Sequence, residues 1–87
     1  MKTIELFKGQ VKCQNVLKEV LNERLNQEAK WGEQNHDNPL YVTILTEEVG
    51  EVAKAILEKD IQNLREELIQ VAAVAVAMVE CLDRNQK

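Results

Sequence analysis

The sequence predicts an all-α protein: a helical hairpin preceded by one N-terminal helix, assembling into a multi-helix bundle as an oligomer. Three observations carry that prediction. The chain is 45% hydrophobic but only 3% aromatic, with a single Pro, and this Glu-, Lys- and Gln-rich mixture favours helix over sheet. Its apolar residues recur at helical spacing in three segments. Asn38-Pro39 and Asp60 supply start signals for two of those segments. The 87 residues make one domain, 1–87. A chain so short buries only about two-thirds of the surface its unfolded form exposes, so its core alone is marginal.

Residues 1–9 are a weakly patterned N-terminal arm. The first helix is expected from Gln10 to Lys30, with an apolar stripe of Cys13, Val16, Leu17, Val20, Leu21 and Leu25. Trp31-Gly32 ends it, and Glu33 to Asn38 form a polar loop. Asn38 is the expected cap of a second helix, Pro39 to Lys59, whose stripe runs through Ile44, Leu45, Val49, Val52, Ala55 and Ile56. Asp60 caps the third, Ile61 to Asp83. A connection that short makes helices two and three an antiparallel hairpin. The third helix is apolar nearly all round from Leu68 to Leu82. A helix apolar on every side needs burial on every side, which one hairpin and one helix do not supply, so self-association is expected.

Composition also excludes. Net charge is −4 and the basic residues are scattered, so the stripe that duplex nucleic acid requires is missing. The longest apolar run, Val71 to Val79, would span only about 12–13 Å as helix, short of a bilayer core of roughly 30 Å. Cys13 and Cys81 form no CxxC pair, and they are expected to be reduced thiols in a cytoplasmic protein.

Chemistry enters through glutamates on apolar faces. Glu48 falls inside the stripe of helix two, with Glu51 at its edge. Glu67 and Gln70 are set three apart into helix three. Counted from the turn at Asp60, all four lie within roughly two turns of one another in an antiparallel hairpin. Charged carboxylates on a buried face repel and resist ionisation unless compensated. A hard divalent cation, Mg2+ or Mn2+, would compensate them. So would ordinary surface pairs with Lys54 or Arg65. Elsewhere, Arg24 and Glu28 fall within the first stripe at pairing distance, either as an edge ion pair or beside a polar cavity where Arg24 would meet phosphate. Trp31 is either a packing anchor or a stacking surface for a base, with Lys30 near phosphates. Lys54, about a turn from Glu51, either reaches phosphate or is solvated. His36 reads as a surface residue, and Tyr41 and Met78 as core.

The run Glu47-Glu48-Val49-Gly50-Glu51-Val52-Ala53-Lys54-Ala55, followed by Leu64-Arg65-Glu66-Glu67-Leu68-Ile69-Gln70-Val71, resembles the MazG-like nucleoside triphosphate pyrophosphohydrolases. Their pattern is EExxE, a spacer, then ExxD on the next helix. The stretch Glu23-Arg24 through Lys30-Trp31-Gly32-Glu33-Gln34-Asn35-His36 is similar to the small, single-domain branch. The resemblance implies an all-α homodimer or homotetramer that hydrolyses a nucleoside triphosphate to monophosphate and pyrophosphate with Mg2+ or Mn2+. It implies Glu48, Glu51 and Glu67 as metal ligands and Glu47 as the residue that orients the attacking water. Gln70 stands where the pattern has Asp; its amide oxygen still ligates but brings no charge. That departure leaves two alternatives open: a non-enzymatic helical oligomerisation module, or a nucleotide-binding regulator with a decayed metal site.

Overall fold

The computed structural model describes residues 11–85, which fold as three helices: α1 (Val11–Trp31), α2 (Asn38–Leu57) and α3 (Ile61–Asn85). The N-terminal arm expected at 1–9 lies outside the described residues. No strand occurs among the described residues.

α3 is the centre of the architecture. Both α1 and α2 pack on it, and α1 and α2 do not pack on each other. Its buried positions, Ala73, Val74 and Cys81, are small, so two helices approach it closely. α2 and α3 form the expected hairpin. Lys59, at φ 58°, takes the left-handed position that ends α2. There the Asp60 N–H bonds to the Ala55 carbonyl at 3.0 Å and the Lys59 N–H to the Ile56 carbonyl at 3.1 Å. Asp60 then caps α3 by accepting from the Asn63 N–H at 3.1 Å.

The first helix ends at Trp31 rather than Lys30, the second runs Asn38–Leu57 rather than Pro39 to Lys59, the third ends at Asn85 rather than Asp83, and the start of α2 also changes its cap. The cap of α2 is Asp37, not Asn38: its Oδ1 accepts from the Leu40 N–H at 3.1 Å. Asn38 and Pro39 therefore sit inside the first turn. Asp and Asn cap about equally well, so composition alone did not choose between adjacent candidates.

α1 is docked by charge as much as by oil. Of its expected stripe only Val20 is buried; Leu17, Leu21 and Leu25 are exposed, because α3 covers one edge of the stripe. Arg24 is buried at 8% exposure. Its Nε donates to Glu80 on α3 at 2.8 Å, its Nη2 to Glu28 at 2.6 Å and its Nη1 to Gln27 at 2.9 Å. Burial alone would lower the guanidinium's pKa, but the bonds to Glu80 and Glu28 outweigh it and hold the charge. Arg65 on α3 pairs with Glu19 on α1, adding a second, exposed tie.

Candidate functional site

Because α1 and α2 diverge on either side of α3, a cleft of about 150 Å3 opens between them. Glu23, Gln27 and Trp31 of α1 form one wall, at i, i+4 and i+8 on one helix face. Tyr41, Ile44 and Glu48 of α2 form the other, and Gln70, Val74 and Ala77 of α3 the floor. Gln34 and His36, from the α1–α2 loop, close one end.

That end is held firmly. The buried Tyr41 hydroxyl donates to the Gln34 carbonyl at 3.0 Å. Arg84, near the end of α3, donates from Nη2 to the same carbonyl at 3.0 Å and from Nε to Asn35 Oδ1 at 3.2 Å. His36 is half-buried and packs edge-on against Tyr41, with ring centroids 5.0 Å apart, so it is not the free surface residue expected. The sulfur of buried Cys81 lies 3.6 Å from the His36 carbonyl. Both Cys13 and Cys81 are free thiols.

The carboxylates meet across the hairpin. Glu48, half-buried, has its carboxyl pushed above the usual range, first by burial and then by Glu67, with Glu51 and Glu47 adding to the repulsion. Glu67 is likewise half-buried, while Glu47 and Glu51 are exposed. None of the four ion pairs among the described residues involves any of these glutamates. Arg65 is committed to Glu19, and Lys54 is exposed and in no described ion pair, so neither supplies the surface pairing considered from the sequence. Among the described residues, no three His, Cys, Asp or Glu side chains are disposed to enclose an ion. Of the four oxygen-bearing side chains expected together, Glu48 therefore meets Glu67 most closely and feels Glu51 more weakly, while Gln70 lines the same cleft as Glu48.

The remaining sequence candidates divide. Trp31 is 56% exposed at the cleft and anchors no core, with Lys30 Nζ 4.5 Å from its ring centroid. Arg24 has its guanidinium taken up by Glu28, Gln27 and Glu80 and meets the cleft through Gln27. Glu23, Gln27 and Gln34 were not singled out from sequence. The i, i+4, i+8 register with Trp31 carries a signal for the first two, and Gln34 falls inside the stretch that resembles the small, single-domain branch without a role assigned to it there.

Fold and site define an all-helical protein with an acidic cleft that presents an exposed aromatic ring. The family model of the MazG nucleotide pyrophosphohydrolase domain matches residues 36–87, and the chain belongs to that family. The match takes in α2, α3 and the glutamates, and leaves α1 with its wall of the cleft outside it. Comparison with curated proteins and with solved structures gives no significant match.

Proposed function

We propose that this chain is a metal-dependent nucleoside triphosphate pyrophosphohydrolase, releasing monophosphate and pyrophosphate, and that residues 1–87 form a single domain of this kind. The observation that carries the reading is the juxtaposition of the Glu48–Glu67 pair, which pairs with no cation among the described residues, with a cleft that Trp31 lines.

The donor set fits Mg2+ or Mn2+. These are hard cations that take oxygen ligands, and Mg2+ in nucleotide enzymes is held by one or two carboxylates together with substrate phosphates rather than by a closed protein cage. Two adjacent carboxyls with a third nearby answer to that description. Glu48, Glu51 and Glu67 would hold the ion, and Gln70 would add a neutral amide oxygen. Bound there, the ion would offset phosphate charge and polarise the scissile phosphoryl group.

The chain's own residues do the rest. Glu47, solvated and adjacent to Glu48, orients the attacking water and accepts its proton. Trp31 stacks on the base while Lys30 and Lys54 neutralise phosphate oxygens. Arg24 contributes by fixing the α1 wall, where it orients Gln27. A homodimer or homotetramer supplies cover for Leu17, Leu21 and Leu25 of α1 and for Val76, Val79 and Leu82 of α3, all exposed in one copy. A cytoplasmic setting, where thiols stay reduced, fits the free Cys13 and Cys81. No described helix is long and apolar enough to cross a membrane.

The second reading, a nucleotide-binding regulator, is favoured by one feature: Gln70 removes a charge from the acidic set. A panel of nucleoside triphosphates with Mg2+ and Mn2+ separates the two. Metal-dependent pyrophosphate release marks the enzyme, and binding without release marks the regulator. Neither would leave a helical interaction module.

A further inference from the structure

The geometry points to a base-recognition site in the cleft that selects a single-ring base carrying an exocyclic amino group, which is cytosine among the common bases. This inference rests on the nucleotide reading of the cleft and names the base that its α1 wall takes.

The first observation is size. At about 150 Å3 the cleft has the volume of a cavity that admits one benzene-sized ring. A pyrimidine fills it and a purine leaves its second ring outside. The second observation is hydrogen-bonding polarity along α1. Arg24 Nη1 donates to Gln27 Oε1 at 2.9 Å, which fixes that amide and leaves its N–H groups as the available edge. One turn away, Glu23 is half-buried and takes part in no described ion pair or hydrogen bond, so its carboxylate is an available acceptor. One turn beyond Gln27 on the other side is the exposed ring of Trp31.

The wall thus presents acceptor, donor and stacking face in sequence. Cytosine offers the matching edge, an N4 amino donor beside the N3 acceptor, and a carboxylate accepting from cytosine N4 is a recurrent pairing. Uracil turns an acceptor, O4, toward a carboxylate in the same pose and is repelled. Adenine has the cytosine-like edge but two rings, one of which stays outside the cleft, so it buries a smaller share of its surface there than cytosine does. Both observations are needed to single out one base.

Trp31 is the only Trp, so its fluorescence reports on the cleft without any requirement for turnover. The test titrates the full chain with CMP, UMP, AMP and GMP while following Trp31 emission. CMP is expected to bind about tenfold more tightly than UMP or AMP. Glu23→Gln, which keeps the side chain's size and exchanges a charged acceptor for an amide, is expected to bring CMP and UMP within about twofold of each other. Circular dichroism of the variant separates lost folding from lost selectivity, and Glu23→Asp, keeping the acceptor, is expected to retain the order. Equal affinities for CMP and AMP, an unchanged CMP-to-UMP ratio in folded Glu23→Gln, or no quench by any monophosphate would overturn the inference. Pyrophosphate release measured in parallel keeps the two readings apart. CMP selectivity without release from CTP sinks the hydrolase and leaves the base site standing. Release from all triphosphates without base preference does the reverse.

Discussion

Glu48 on α2 and Glu67 on α3 bring their carboxyls together across the hairpin, and no Lys or Arg among the described residues pairs with either. Acidic neighbours on a half-buried surface oppose ionisation, and a cation bound beside them would relieve that repulsion. A native fold tolerates such a conflict where it is put to use.

The pair makes stability depend on pH in a defined direction. Burial, then Glu67, raises the folded-state carboxyl of Glu48 above its unfolded value. The folded state therefore holds the proton more tightly, and this contribution is fully present below about pH 4, the ordinary glutamate value, and lost as pH rises through the raised one. Glu19, whose carboxyl its Arg65 hydrogen bond holds low, acts in the opposite sense. Denaturation in EDTA at several pH values, on the parent and on Glu48→Gln, isolates the Glu48 effect. The parent is expected to lose more stability than the variant on going from acid to neutral pH. Parallel curves would mean that Glu48 is not strained.

Gln70 lines the same cleft as Glu48, at the position where the family pattern has Asp. A carboxylate there adds charge to the acidic set, and Asp is one methylene shorter than Gln, so both Gln70→Asp and Gln70→Glu are informative. At least one is expected to bind Mg2+ more tightly, by about 1–3 kcal/mol, and to be less stable without metal. Calorimetric titration measures the first and thermal melting the second. Loss of stability in every condition with no gain in metal binding would place Gln70 outside the ligand set.

How much of this was legible follows the range of the forces. The hairpin, the Asp60 cap and the position of Glu48 on a packed face come from signals within a few residues, and periodicity reads them. The docking of α1 is not local: Arg24 meets Glu80 across 56 positions, and nothing near either residue announces the other. The same distance hid the cleft, whose walls come from three helices and a loop. The two readings of Trp31 stay open from sequence, and His36 reads there as a surface residue, for a related reason. Exposure of a residue at a helix end depends on where the next element turns, and the Arg84 clamp on Gln34 and Asn35 decides that.

Arg84 makes a direct test of the clamp. Its bonds to the Gln34 carbonyl and Asn35 hold the loop that closes one end of the cleft. Arg84→Ala is expected to cost about 1 kcal/mol of stability, since these bonds are partly solvated. It should also raise KM for nucleotide roughly tenfold with kcat changed much less, because the wall and not the chemistry is disturbed. Steady-state kinetics reads the split; a fall in kcat at constant KM would refute a positioning role.

Self-association is tested at the α1–α3 face, where Leu21 is 56% exposed in one copy. The parent is expected to scatter light as a dimer or tetramer of the 10.0 kDa chain. Leu21→Glu, placing a charge in that face, is expected to shift it toward monomer. A stable, folded parent monomer at micromolar concentration would remove the need for a partner.

The most direct test is Mg2+-dependent pyrophosphate release from a nucleoside triphosphate by the parent and by Glu48→Gln, each checked for folding. The parent is expected to release pyrophosphate only with the cation, and the variant to be slower by at least about a hundredfold while remaining as stable as the parent in EDTA. Release that ignores the cation, or a folded Glu48→Gln that turns over as fast as the parent, would contradict a metal-binding role for the Glu48–Glu67 pair.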